Sequence, residues 1–561
     1  MHSKLFMNRI FLWVVLLFAG LQAFSQTPYN IVMNMPQDPK TQMAFNWFTT
    51  SNTTGEQVEV SIGTGTFISF KTVTVSGATP QNIHKAVVTG LTPNTTYSFR
   101  VGKSGSWSNI GRFTTAKANK EVFTFIYTTD SQASDIGQFN TAQITTHAAF
   151  AKFPNVNFWL QCGDIVNNGA DPLNFEWNKF FETQQDLFLK IPFAPVVGNH
   201  DHGYNFTVNN NFRRHFNTEI PLNFLTTDPH GSTYTFIYGD AQFFAINSEL
   251  YDKSVYITAL SNWMRTEANA HPEIKWRIVY FHKNIYTGGM WMDDGEVTTW
   301  RNAMAPLFDE LNIDIAFQGH DHIYEVIGPV YNKELVQGAA SHMNSVTATH
   351  PQNVTGKSGG TYNVTEGTLY FLNNRSGYLS IDPKQLNQIP NTLAYGIPNY
   401  RSLFTGMLGQ KGNPTYSHVT ISTNNIIIAT YEIVNGNSNL LDQITVEKHC
   451  VPAAVSPNSD IITTSQTWNT NKTITKNVVV PYRVTLTITA TAYFSTYTIT
   501  VACGGKLIVS GGTIDDGNVV VQGGGKLTIS NNGKISLGSY DNFDVQLGGV
   551  FDMIYGEILL K

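Results

Sequence analysis

Charge is scarce in this 561-residue chain: 35 Lys and Arg stand against 40 Asp and Glu, 13% of the residues, for a formal net charge of −5. No Lys/Arg run is present that could track a phosphate backbone, which argues against a dedicated nucleic-acid partner. Three cysteines, Cys162, Cys450 and Cys503, are too few for a disulfide scaffold. Cys162 lies in an apolar strand and reads as a buried thiol, while the sequence leaves open whether Cys450 and Cys503 pair. Long apolar runs are also missing after the first, Ile10 to Leu21. Lys4 and Arg9 precede that run, and Ala23-Phe24-Ser25 follows it with small residues at the spacing a signal peptidase cleaves. Residues 1–25 therefore read as a secretory signal, because the run is shorter than the ~20 residues that comfortably span a bilayer. The expectation is a protein that is secreted, periplasmic or on the cell surface, with no transmembrane segment after cleavage.

Aromatics, by contrast, are plentiful at 12%, and Thr, Asn, Gly and Val favour strands and polar turns. The length predicts several domains of roughly 100–200 residues each. From Thr27 to about residue 116 the pattern is short strands and turns. Met43 to Thr50 and Val58 to Ile62 alternate like half-buried strands. A β-sandwich of seven strands fits that space, and Val88 to Val101 resembles the turn and strand of a fibronectin type III domain, with Tyr97 in a tyrosine-corner position.

Between about residues 120 and 448 strands alternate with helical segments. Val122–Tyr127, Asn157–Cys162, Phe193–Val197, Trp276–Phe281 and Ile313–Phe317 read as strands. Thr368–Leu372, His418–Ser422, Asn425–Ile433 and Gln443–Val446 are expected to complete the second sheet of this domain. The segment from Gly338 to Asn374 is a candidate wall of the pocket. A linker is expected over Val451–Ser459, and residues 460–561 carry a loose repeat. Gly504-Gly-Lys-Leu-Ile-Val-Ser recurs as Gly524-Gly-Lys-Leu-Thr-Ile-Ser, with degenerate copies at Leu486–Ile488 and Gly548–Phe551. A period near twenty, with strands punctuated by Gly and Asn, points to a parallel β-helix or similar solenoid. That repeat is a candidate surface for glycan or cell-envelope contact.

Each of the first five strands ends on residues that can bind metal: Asp130-Ser-Gln132, Gly163-Asp164, Gly198-Asn199-His200-Asp201, His282, and Gly319-His320-Asp321-His322. Singly, Asp130 or Asp164 is an ordinary turn carboxylate and His282 an ordinary rim histidine. Five such segments in one β-α series suit two ions bridged by one carboxylate, the chemistry of phosphate-ester hydrolysis. Asp164 is the candidate bridge. Asp130, His322 and Gln132 are expected at the first ion, and Asn199, His282 and His320 at the second. Oxygen and nitrogen donors without thiolate suit iron, manganese or zinc and do not choose among them.

These motifs resemble those of the calcineurin-like metallophosphoesterase superfamily. The fibronectin-like domain, Tyr234–Asp240 and Asp442–Val446 make the purple acid phosphatases the nearest branch. The resemblance covers residues 27–448 and implies a four-layer α/β/β/α sandwich and the ligand set above. It further implies that His200 binds phosphate and protonates the leaving group. Purple acid phosphatases carry a tyrosinate ligand three residues after the bridging Asp, where this chain has Asn167, so the iron charge-transfer colour should be absent. The wider superfamily has Asp-x-His in its first motif, where this chain has Gln132, a weaker donor.

The expected activity is hydrolysis of a small phosphomonoester by a hydroxide bridging the ions, with His200 and Asp201 catalytic. Asn199, His200 and His202 are the expected substrate contacts. Asp201 would either orient His200 or cap its turn, and His202 and Lys283 read as exposed neighbours of the ligands. A phosphodiesterase would use the same site. A surface-binding protein with a degenerate metal domain is the alternative of a different class.

Overall fold

The computed structural model describes residues 27–561, apart from 51–54, 64, 72, 77–81, 120, 172–173, 203–210, 222–223, 225, 272, 337–338, 340–357, 379–396, 398–399, 410–411, 449–458, 483 and 547–548. The expected signal sequence, Cys450 and nearly all of the expected linker lie outside the described residues, as does most of the segment 338–374.

Residues 29–114 form a two-sheet β domain with nine strand segments among the described residues, two more than expected. Tyr97 is buried and its hydroxyl accepts the Thr92 N–H at 2.9 Å, the local bond that defines a tyrosine corner. This domain is not a detached neighbour. The strand Tyr29–Asn34 runs parallel to Phe193–Val196, so one sheet continues into the next domain.

Two sheets face each other in the central domain, and the alternation of the strands explains why. Phe125 and Tyr127 of Phe123–Thr128, with Phe158, Leu160 and Cys162 of Phe158–Cys162, enter the core between the sheets. From the second sheet Phe236, Phe243, Ile278, Tyr280, Ile315 and Phe317 meet them. Ile126 and Trp159, one residue out of phase, pack beneath the helices Ile136–Lys152 and Phe175–Phe188. On the far side, Val279 and Phe281 pack beneath Ser254–Ala270 and Gly295–Leu311. A period of two on each strand thus builds four layers, helix, sheet, sheet, helix.

Of the four strands expected to complete the second sheet, one does: Thr368–Asn373, parallel to Ile315–Gly319. Thr415–Ile421, Asn425–Val434 and Asn437–Glu447 instead form an antiparallel meander added to the first sheet, beside Phe123–Thr128. Phe123–Thr128 pairs with Phe158–Cys162 on one side, and its other edge needed a partner.

From Ser459 onward three five-stranded parallel sheets wrap one apolar core. Leu486, Leu507, Leu527 and Phe551 stack in register along one sheet, which makes the repeat a three-faced parallel β-solenoid. It leans on the central domain. Lys448 pairs with Asp314 at 2.7 Å, bonds the Tyr482 hydroxyl of the solenoid, and lies over the Trp276 and Tyr482 rings. Among the described residues no helix is long and apolar enough to cross a membrane.

Candidate metal centre

Parallel pairing brings the carboxyl ends of Phe123–Thr128, Phe158–Cys162 and Phe193–Val196 to one edge of the first sheet. It does the same for Trp276–Lys283 and Ile315–Gly319 in the second. That edge is where open α/β sheets bind ligands. His282 has the same parity as Ile278 and Tyr280, so it continues the inward face and enters the gap between the sheets.

Asp164, His282 and His320 offer donor atoms that all lie within 4.8 Å of one another. His282 Nε2 is 3.2 Å from Asp164 Oδ2 and 3.0 Å from Asn199 Oδ1. Its Nδ1 sits 2.8 Å from the Cys162 carbonyl. Nδ1–H is thereby the donor to that carbonyl, and Nε2 is left as the ligating nitrogen. Beside this group, His322 Nε2 is 3.1 Å from Asp130 Oδ1. Asp130 also receives the Thr129 hydroxyl at 2.6 Å and the His320 backbone N–H at 3.0 Å. Two backbone bonds tie the halves together: Asp130 N–H to Gly163 O at 3.1 Å and Gln132 N–H to Asp164 O at 2.8 Å.

Backbone strain is concentrated on these residues. Asp130, Gln132, Asp164, His320 and His322 have φ of +51°, +33°, +47°, +77° and +46°, a region that costs a non-glycine residue about 1–3 kcal/mol and collects at functional sites. The motif glycines are demanded by close approach. A Cβ on Gly198 would lie 2.2 Å from Asp164 Oδ1, and one on Gly319 would lie 2.4 Å from Thr129 Oγ1.

The donors fit a pair of cations. Gln132 Oε1 is buried with no hydrogen-bond partner, an open acceptor on a residue whose N–H bonds the Asp164 carbonyl. Burial by itself would depress the His282 imidazolium, yet the Asp164 carboxylate, with Asp130 and Glu249, lifts its pKa to about 10. Burial would raise Asp164, and His282 and His200 hold it well below the usual carboxylate range. His320 is pushed down by burial, then by His282 and Lys283. Together the carboxylates make a field that favours positive charge between the sheets.

Other expected site residues are placed as follows. His200 is half-buried at the centre's edge. Its N–H donates to Asp164 Oδ1 at 2.9 Å, and its Nδ1 lies 2.8 Å from the Asn167 carbonyl. Asp201 does not orient it. The Asp201 carboxylate accepts the N–H groups of Ile165 (2.8 Å), Val166 (3.1 Å) and Gly198 (2.8 Å), clamping two ligand loops together. His202 and Lys283 are not exposed. His202 is buried, stacked on His230 with centroids 5.1 Å apart and 3.4 Å from Glu249. Lys283 is buried and ion-paired with Glu249 at 3.4 Å and with Glu296. Both turn into a charged network under the second sheet, Lys283 because the strand residue after His282 points to the opposite face and His202 from the end of the one-turn helix Asn199–His202. The sequence reading also missed the segment Asn373–Gly377. Ser376 N–H donates to Thr129 O at 2.8 Å and Gly377 N–H to Asp130 O at 3.2 Å, so it buttresses the first motif. Trp291, stacked on His320, was missed as well; its signal was a Trp just after Gly288-Gly289 in the loop beyond a ligand strand.

Residues 28–115 match the purple acid phosphatase N-terminal domain, and residues 123–324 match the calcineurin-like phosphoesterase family. The chain thus carries a calcineurin-like phosphoesterase domain preceded by a purple acid phosphatase N-terminal domain. Acid phosphatase type 7 of Mus musculus is 23% identical over 274 residues, 46% of this chain and 59% of that protein. Acid phosphatase type 7 of Homo sapiens is 22% identical over 349 residues, 57% of this chain and 75% of that protein. The chain thus spans about three-fifths of the mouse relative's length. Purple acid phosphatase PPD1 from yellow lupin seeds superposes with a TM-score of 0.58 at 15% identity, covering 75% of each chain, which shows a common fold.

Proposed function

We propose that the protein is a metal-dependent phosphatase that hydrolyses small phosphomonoesters outside the cytoplasm. The observation that carries this reading is the meeting of carboxylate, imidazole and amide donors from both sheets, without thiolate, at one strained edge. Asp164, Asn199, His282 and His320 would hold one ion, Asp130, Gln132 and His322 the other, with Asp164 shared; iron, manganese and zinc all suit these donors. When bound, such a pair supplies Lewis acidity and a water activated at neutral pH. Asn199 and His200 orient the ester at the open side. His200, its Nδ1 held on Asn167 O, presents Nε2 to the leaving-group oxygen and can donate a proton there. Asp201 positions this loop and touches no reacting atom.

We take residues 27–116, 120–448 and 460–561 as its three domains, with 1–25 as the signal. Cys503 is disulfide-bonded while Cys162 is a buried free thiol, which suits an oxidising compartment. The solenoid, packed on the central domain, supplies the surface for envelope or glycan contact.

The test is hydrolysis of an aryl phosphomonoester and the matching bis-aryl diester by signal-free protein loaded with iron, manganese or zinc, with Asp164→Ala as control. Faster Asp164-dependent monoester turnover is expected. Faster diester turnover would make it a phosphodiesterase, and no turnover with any metal would overturn the enzymatic reading.

A further inference from the structure

The loop after Trp276–Lys283 is held with unusual completeness. Thr287 N–H donates to the Tyr400 hydroxyl at 3.1 Å, and that hydroxyl donates to Thr287 O at 2.7 Å. Gly288 N–H donates to Glu325 Oε2 at 2.8 Å and Gly289 N–H to Thr287 Oγ1 at 2.9 Å. Trp291 N–H donates to Asp321 Oδ1 at 3.2 Å. Asp321 is the middle residue of the His320-Asp-His322 motif. It is buried, and its other oxygen receives the Asn284 amide and the Thr287 hydroxyl. A Cβ on Gly289 would lie 2.3 Å from its carboxyl carbon. One carboxylate between two candidate ligands thus anchors this loop beside the centre.

What that loop presents is an indole. The Trp291 ring stacks on the His320 imidazole, centroids 5.3 Å apart and planes at 24°. Trp47, Trp159, Trp177, Trp276 and Trp300 are fully buried, and Met292 next door sits in the apolar core of the second sheet. Trp291 packs in none of the apolar cores and stays partly exposed. A large aromatic left partly in solvent beside a candidate ligand, on a hydrogen-bonded loop, offers apolar area with little ordering cost.

We propose that Trp291 is a specificity-determining residue. Its indole is the platform for the group esterified to phosphate, so the site prefers aromatic substituents to small aliphatic ones. The proposal rests on the phosphoesterase reading above and names its substrate class. Phosphate held by Asn199 and His200 must direct its substituent away from the ligands, and Trp291 is an aromatic surface lying against one of them, His320. Stacking of one ring on another is worth roughly a two- to tenfold gain in affinity.

The test uses phenylphosphonate and methylphosphonate, which have no leaving group, so intrinsic ester reactivity does not enter. Their dissociation constants are measured by calorimetry on the metal-loaded full chain. Wild type should bind the phenyl compound about two- to tenfold tighter. In Trp291→Ala that ratio should fall to near one, and in Trp291→Phe, which keeps a ring on the loop, most of it should survive. A ratio of one in wild type, or a ratio unchanged in Trp291→Ala, overturns the platform. If wild type still hydrolyses an aryl phosphate in that case, only the platform has failed. Binding of neither phosphonate, together with no hydrolysis, removes the phosphoesterase reading and the platform with it.

Discussion

Asp201→Asn separates a clamp from a catalytic relay. All three groups that face the Asp201 carboxylate are N–H donors, two on Oδ1 and one on Oδ2. An asparagine of the same shape must turn its NH2 toward one of them. The milder choice puts Nδ2 against Gly198 N–H, keeping Ile165 and Val166 on the amide oxygen. One hydrogen bond to a charged acceptor, worth about 1.5–3 kcal/mol, is lost, and two donors are left facing each other in a buried site at about 1–3 kcal/mol more. The sum is about 2.5–6 kcal/mol, a large share of the ~5–15 kcal/mol that holds a typical domain. The assay is urea unfolding of metal-free protein followed by tryptophan fluorescence, so that ligand binding does not mask the change. His200→Ala, which removes a ring whose Nδ1 rests on the Asn167 carbonyl, should alter the midpoint little while lowering turnover about 10²–10⁴-fold. An Asp201→Asn protein within about 1 kcal/mol of wild type, yet equally impaired in turnover, would refute the clamp and restore Asp201 as a catalytic relay.

Further outcomes follow from other parts of the structure. His215 is buried between Trp177, Phe181 and Phe48, and burial pushes its pKa down to about 3. Between about pH 3 and 6.5 the unfolded chain binds the extra proton, so stability is full above 6.5 and falls as the pH drops. Relative to His215→Phe, wild type should lose about 2 kcal/mol between pH 7 and pH 5, as measured by paired urea titrations; a constant difference would contradict a buried neutral imidazole. Gly198→Ala, whose methyl would meet Asp164 at 2.2 Å, should reduce bound metal per chain, determined by elemental analysis; full occupancy would show that the loop can yield. With Asn167 where purple acid phosphatases place a tyrosinate, iron-loaded protein should show no visible charge-transfer band, and a strong band would require another phenolate ligand.

Much of the site was legible because its spacing is local. A strand run, a turn glycine and a donor side chain occupy consecutive positions, so Asp130, Asp164, Asn199, His282, His320 and His322 could be named, and the solenoid declared itself through Gly-Gly-Lys at a fixed interval. Asp201 and His202 were harder. Their neighbours in sequence are ligands, and adjacency says nothing about which way a strand-end or one-turn-helix residue points. Lys283 looked exposed for the same reason, yet two carboxylates distant in sequence, Glu249 and Glu296, take it inside.

The amino-acid order by itself determined what each short segment must be: apolar alternation makes strands, and glycines at crowded or left-handed positions make the turns that end them. Only the tertiary structure decided which edges those strands would share. The meander after residue 414 went to the first sheet because Phe123–Thr128 had an unpaired side there. Trp291 came to lie on His320 because Asp321 had backbone donors to receive from a loop thirty residues earlier. Pairing partners and buried charges are settled by satisfying hydrogen bonds across long separations, and no local pattern encodes that choice.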